Sequence, residues 1–574
     1  MEIDAQYHPD WPRRLLRVPT MESYEWKPGN VYGSVINPAY NILTYTWGRW
    51  ALIDGQMPDV LHIGVQNVPW SLPRIDPSHF TTSSFQRVIE SCTINLRQPS
   101  GWLINRSRQV EFLWVDVACI DQDFRSASID EIGRQAKIFF EAEKTFVWFT
   151  RIDTNTLKRS TDYLERPILG LYKSGDFRRL EKRLQLIHDS LSKIFSDPWF
   201  SSLWTLQEAY LRRDAILLSR EGLPVPHNNE KNRTLDRLIQ RTAVIYNICS
   251  TILSHEGGNC AQVQQLSRNI LRQVDSSGLV QLSTQNPLAV YSVSHSRKSS
   301  SYLDRIYGIQ QIFEFRLGHS RPGSDPTEHI TLVGLEEQLG ESLLSKYPIL
   351  SQLHVIVDEG LLGSAWRIGR NSKVPRLNLF GNGNWKWVSA EQPQAKLSTC
   401  RVEGNLWGQF EGPLCNFGSL LTAWVSVDSQ PQFNSLINNI SSVSIYLDNI
   451  EALHGSPEFQ ENPYEVISRD QQRQHTLSKW LHSRFINDRL CVLLLGNMTG
   501  PGRATPEESD PLDLKYYVGI ILLHQESNGL THWRRLGFCA WEVEHLADDE
   551  QDAPEKAFLE GQGDQWQTVI GIFG

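Results

Sequence analysis

The chain has 574 residues, 40% hydrophobic and 21% charged, with 19 tryptophans, eight cysteines and a formal net charge of −9. That length holds about two to four domains, and the composition is that of an ordinary globular protein. The acidic balance speaks against broad phosphate-backbone binding, which needs a basic face, so no nucleic-acid partner is expected.

The cysteines (92, 119, 249, 260, 400, 415, 491 and 539) form no C-x-x-C pair, so neither a metal site nor a disulfide framework is expected. The start, MEIDAQYHPD, lacks the basic and apolar segments of a secretory leader. No apolar run is long enough to span a membrane. A cytoplasmic protein with reduced thiols is the expectation. Arg178, Arg179, Lys182 and Arg183, and Arg212–Arg213, read as solvated helix faces, with a local basic patch as the alternative.

Residues 1–219 alternate short apolar runs with helical patterns, the signature of an α/β unit with a mostly parallel sheet. Strands are predicted at Ile42–Tyr45, Phe112–Asp116, Thr145–Phe149 and Ala215–Leu218. Helical period covers Ser84–Gln98, Asp130–Lys144 and Leu180–Phe195. Asp197–Pro198 is a helix-start signal, which predicts a helix over Trp199–Leu211. Residues 220–317 follow as a helical connector, with patterns at Leu235–His255, Cys260–Val274 and Ser301–Phe315.

Residues 318–574 open on GHSRPGSDP and change texture. Strand-like runs recur at Thr422–Val427, Val443–Leu447, Leu490–Leu495, Tyr516–Leu523 and Arg535–Val543. Turn clusters separate them, GNGN at Gly381–Asn384 and NMTGPG at Asn497–Gly502 among them. A mainly antiparallel, β-rich C-terminal domain is predicted.

The chain has no phosphate-binding P-loop, no H-E-x-x-H and no G-x-S-x-G. Four segments carry polar groups at the edge of apolar runs, where burial of a carboxylate is costly unless it is paired. Tyr40–Trp50 is a strand ending in Tyr45, Thr46, Trp47 and Gly48, placed where parallel sheets bind ligands; it is either the wall of a flat-ring pocket or simple packing. Phe112–Asp123 offers Asp116, read as lying inside the strand, with Asp121 and Gln122 after it; these hold a cation or ribose hydroxyls, or cap the following turn. Glu208 shares a helix face with Trp204, four residues before it. It is either a desolvated carboxyl suited to acid–base or cation-stabilising work, or a structural partner of Arg212. Asp304 and Arg305 in LDRIYGI read as a helix start.

In this order, the four segments resemble the heterokaryon incompatibility (HET) domain of filamentous fungi. Its first block is similar to Y-x-x-L-S-Y-x-W-G, matched by Tyr40, Leu43, Thr44, Tyr45, Trp47 and Gly48, with threonine for serine. The second resembles L-W-I-D-x-x-C-I-D/N-Q, matched by Leu113, Trp114, Val115, Asp116, Cys119, Ile120, Asp121 and Gln122; Glu131 and Gln135 match polar positions of the next helix. The third resembles P-W-F-x-R-x-W-x-x-Q-E, matched by Pro198, Trp199, Phe200, Trp204, Gln207 and Glu208, with Ser202 for arginine. Asp304–Tyr307 resembles a downstream D-R-x-Y element, and Trp385–Ser389 faintly echoes W-S-W-A-S.

The resemblance covers about 40–211 and thins beyond. It implies a role in nonself recognition and programmed cell death, and a TIR-like (flavodoxin-like) α/β fold. Many TIR domains cleave NAD with a glutamate in a W-C-x-x-E helix, a spacing that Trp204 and Glu208 share. That implies NAD(P) as substrate rather than bound cofactor, with Glu208 catalytic and Tyr45, Trp47, Gly48, Asp116, Asp121, Gln122 and Trp204 binding the ligand. The alternative is a non-enzymatic module that acts through a protein partner or self-association.

Overall fold

In the computed structural model, the described residues are 11–93, 110–123, 130–227, 231–254, 260–283, 286–325, 327–357, 363–370, 372–375, 391–428, 443–448, 489–501, 513–527, 529–543 and 553–574. They fall into two compact units. One comprises Met1–Ser283 and Val293–Ile330, the other Thr284–Ser292 and Thr331–Gly574. The GNGN turn at Gly381–Asn384, the Trp385–Ser389 echo and residues 94–98 of the first predicted helix lie outside the described residues.

The first unit is built on a six-stranded sheet: β1 (Arg14–Arg17), β2 (Glu22–Glu25), β3 (Tyr40–Thr44), β4 (Phe112–Trp114), β5 (Thr145–Trp148) and β6 (Ile216–Leu218), in the order β2-β1-β4-β3-β5-β6. The last four are the predicted strands, and their mutual pairings are all parallel. All five residues of β3 are buried, as a central strand covered on both faces requires. The antiparallel edge pair β1 and β2 was not anticipated. RLLR and ESYE are short and charged at their ends; Arg14 pairs with Glu25 of the neighbouring strand, and Arg17 pairs with Glu111. Arg14 also donates to the Ser23 hydroxyl and carbonyl.

Helices cover the sheet for legible reasons. Helix α1 (Thr82–Ser91) is capped by the Thr81 side chain, which accepts from the Ser84 amide, and it buries Phe85, Val88 and Ile89 on one face. Full burial of each such side chain contributes on the order of 1.5–3 kcal/mol. The Phe177–Phe195 helix is capped by Asp176 and buries Leu180, Leu184, Ile187, Leu191 and Ile194. From β3 the chain passes to β4 on one side, then crosses to β5 on the other. This reversal is a topological switch point, the place where open parallel sheets leave a crevice beyond the strand ends.

Four local expectations change. Asp116 is the first residue of a short helix, Asp116–Cys119, because β4 stops at Trp114 and the Asp116 carboxylate accepts from the Val117 amide at 2.7 Å. Asp130–Lys144 is helical as a continuous element only over Gln135–Glu141. Ser301–Phe315 is two short turns, Asp304–Tyr307 and Gln310–Phe313, rather than one helix, with Ile306 and Gln310, Gln311, Ile312 and Phe313 buried and Tyr302 exposed. Asp197 and Pro198 open a 3₁₀ turn, Pro198–Ser201, before the helix Trp204–Leu211.

The second unit carries a largely antiparallel sheet. Asn405–Asn416, Leu490–Pro501, Asp513–Ser527, Leu530–Glu542 and Gln567–Phe573 pair in a ring that returns to its first strand. Closure removes exposed edges among these five strands. Thr422–Val427 is not a strand but part of the helix Phe417–Asp428. The Gly418 amide donates to Asn416, and Phe417, Leu420, Ala423 and Trp424 share a buried helical face, so packing overrides the β propensity of the run. A buried Arg535–Asp448 pair, 2.8 Å apart, also reaches the Gln352 and His354 carbonyls.

Candidate functional site

Two carboxyl groups, brought from chain positions far apart, meet beyond the carboxyl ends of β3 and β4. Thr44, the last residue of β3, donates its hydroxyl to Glu208 Oε2. The same hydroxyl oxygen accepts from the Trp199 indole at 2.9 Å. Asp116 Oδ2 accepts from the Trp47 indole at 2.6 Å. The hydroxyl of Tyr45 faces Asp116 without a hydrogen bond of good geometry.

Both carboxyl groups sit under dense packing and keep a narrow accessible edge. Desolvation pushes Glu208 up to about 8; the Thr44 bond opposes this, and the nearby Asp116 charge adds to it. Desolvation likewise raises Asp116, against the hydrogen bonds from Trp47 and Val117. The Asp116 charge thus favours the protonated form of Glu208.

The other predicted residues are placed as follows. The Tyr45 ring packs among Phe80, Phe85 and Trp148, with centroids 5.6–6.0 Å away, so the core occupies its faces. Gly48 is exposed, starts a 3₁₀ turn and has open space where a Cβ would stand. Asp121 accepts from the Asp123 amide. Gln122 donates to the Asp116 and Ile120 carbonyls and closes the loop behind the short helix. The Trp204 side chain lies beside Asp304, so the fourth motif meets the third. Arg212 does not pair with Glu208. Its guanidinium holds Asp214 at 2.8 Å and the carbonyls of Phe139 and Ala142.

Several polar residues of the motifs brace the site from behind. Gln207 donates to Gln135 at 2.7 Å and joins two helices. Glu131 is buried on Arg134 and accepts from the Arg13 amide. Asp197 accepts from the Arg151 and Trp199 amides, and burial raises it to about 6. Arg297 went unread in the sequence. It is buried beneath the third motif and donates to the Trp199 and Ser202 carbonyls at 3.1 Å and to the Ser277 carbonyl at 2.5 Å. Desolvation lowers it to about 9. Thr44 was legible only as a motif letter; its place at the end of an apolar strand was the signal that it could serve the acid.

A shallow hollow of about 10 Å³ beside Glu165, Arg233, Arg237 and Arg241 lies off the strand ends, and ion pairs occupy its wall. Among the described residues no group of three or more His, Cys, Asp or Glu side chains is placed to hold a metal ion. No described helix is long and apolar enough to cross a membrane.

The first unit is thus a mostly parallel α/β sheet with two half-buried acidic residues, Asp116 and Glu208, beyond its switch point. Residues 40–208 match the family model of the heterokaryon incompatibility protein (HET), so the chain carries a HET domain, and the match begins at Tyr40 and ends at Glu208. This supports a role of the heterokaryon incompatibility type. No curated protein and no solved structure matches the chain.

Proposed function

We propose that this chain is a cytoplasmic nonself-recognition effector whose first unit cleaves the nicotinamide–ribose bond of NAD(P) at Glu208. The observation that carries this reading is the desolvated Glu208 carboxyl beside Asp116, beyond the strand ends. The parallel strands β3–β6, in chain order, lie side by side as 2-1-3-4, the order of flavodoxin-like sheets, which favours the TIR-like interpretation of the fold.

The chemistry asks little of an acid, because nicotinamide is a good leaving group. Its ring nitrogen is cationic in the substrate, and a desolvated carboxyl gains most from such a charge by giving up its proton. As the C–N bond breaks, its electron pair leaves with nicotinamide and positive charge passes to the ribose in an oxocarbenium-like state. A Glu208 carboxylate stabilises that charge. Water adds to the ribose carbon and releases a proton. Asp116, oriented by the Trp47 indole, receives ribose hydroxyls. Tyr45 is a core residue in this scheme, not a stacking surface. Loss of NAD(P) on activation, triggered by a protein partner or self-association, is the route to cell death.

The test is nicotinamide release from NAD by the full-length protein at high concentration. Glu208→Gln should abolish release while remaining folded, as far-UV circular dichroism checks. Equal release from the variant would sink the catalytic assignment. One observation favours a second reading, a non-enzymatic assembly module: both carboxyl groups already have internal hydrogen-bond donors, as structural acids do. Concentration-dependent assembly with no NAD consumed would select it.

A further inference from the structure

Two arginines stand beyond the ends of the strands on either side of the switch point, outside the acid pair. Arg49 lies in the turn after β3, and Arg151 follows β5. Both are exposed, and both guanidinium groups lie over the Trp50 ring, 5.0 and 6.0 Å from its centre. His79 stacks on the same indole at 3.8 Å, with an interplanar angle of 10°, and its Nε2 lies 2.6 Å from the Thr46 carbonyl oxygen. The imidazole thus fixes the platform from beneath the loop.

Among the described residues neither guanidinium lies within ion-pair distance of a carboxylate; the buried Asp197, which accepts from the Arg151 amide, is the acid whose charge reaches Arg151, and it offers Arg49 no such contact. Two like charges gathered on one ring repel each other unless an anion joins them. Arg49 donates to the Pro198 carbonyl at 3.3 Å and the Ser201 hydroxyl at 3.1 Å. Pro198 directly precedes Trp199, whose indole bonds the Thr44 hydroxyl that serves Glu208. The arginine pair therefore sits on the same rim as the acid pair.

We infer that Arg49 and Arg151, walled by Trp50, form a diphosphate-binding subsite for a dinucleotide whose ribose end lies at Glu208, an assignment that rests on the NAD(P) reading. Guanidinium groups hold phosphate oxygens in forked, charge-assisted hydrogen bonds, and two strand ends supply one fork each.

Calorimetry on the full chain tests this with ADP-ribose, inorganic pyrophosphate and nicotinamide riboside as probes. The parent should bind ADP-ribose, and more weakly as salt rises. The double variant R49Q/R151Q should lose about tenfold or more in ADP-ribose and pyrophosphate affinity, with nicotinamide riboside unchanged. Arg151→Gln alone, whose guanidinium makes no hydrogen bond among the described residues, is the milder check, with a loss of about threefold expected. No ADP-ribose binding by the parent, or equal affinity in the double variant, overturns the subsite. These probes hold no bond for Glu208 to cleave except in nicotinamide riboside. A Glu208→Gln protein with normal ADP-ribose affinity and unchanged nicotinamide release therefore defeats the catalytic reading while leaving the subsite standing.

Discussion

Thr44 and Glu208, 164 residues apart in the chain, share a hydrogen bond in which the hydroxyl donates to the carboxyl while its oxygen accepts from the Trp199 indole. One small side chain at a strand end thereby joins the first and third motifs. A hydroxyl is required there because it must give and take at once. Serine satisfies that as well as threonine, which accounts for the substitution within the motif.

Thr44→Val should therefore destabilise the first unit by about 1–3 kcal/mol, since it strands a buried indole N–H and a buried carboxyl. Thr44→Ser should stay close to the parent. Chemical denaturation of both variants checks this, and equal losses would show that the methyl group, not the hydroxyl, matters.

Glu208 should impose a pH dependence on stability. Its folded value, about 8, lies above the ordinary carboxylate value, so the folded state holds the proton more tightly than the unfolded chain. The stabilising contribution is complete at pH values below the unfolded value and is lost as pH rises through about 8. The slope from this group is at most about 1.4 kcal/mol per pH unit. Melting curves from pH 5 to pH 8.5 should fall for the parent and flatten for Glu208→Gln.

Asp116→Asn removes the neighbouring charge that helps to keep Glu208 protonated. The Glu208 titration should move toward lower pH, as read by carbon-detected NMR of the labelled carboxyl or by the rising limb of any activity profile. A profile that does not move would mean that the two acids are uncoupled. Under the NAD(P) reading the same variant also weakens ribose binding, so it raises KM more than it lowers kcat.

Arg297 should be a stability residue of the HET module although it lies outside the matched residues 40–208. It donates into the backbone of the third motif, and Val293–Ile330 belongs to the same compact unit as the sheet. Arg297→Leu should cost about 1–3 kcal/mol, because the Ser277 carbonyl loses the guanidinium while the Thr205 hydroxyl still serves the Trp199 and Ser202 carbonyls. A chain cut after Arg220 should be protease-sensitive for the same reason. If the truncated form resists proteolysis as the full chain does, Arg297 and its segment are dispensable to the fold.

The four parallel strands and the Asp197–Pro198 start signal were legible in the sequence, because apolar period and capping chemistry are local properties. Local pattern was also enough to mark Glu208 as an unusual acid in an apolar helix. It could not say what the acid touches. Arg212, one helical turn away, has the spacing of a partner, yet Asp214 and two carbonyls capture it, because the C-terminal end of the Gln135–Glu141 helix lies on that side. Thr422–Val427 has the residues of a strand and becomes a helix, since a shared buried face outweighs propensity. The pairing of Thr44 with Glu208, the gathering of Arg49 and Arg151 on one indole and the burial of Arg297 all depend on crossover connections. Only tertiary structure decides these, because hydrogen bonds and charges act over a few ångströms of space, regardless of distance along the chain.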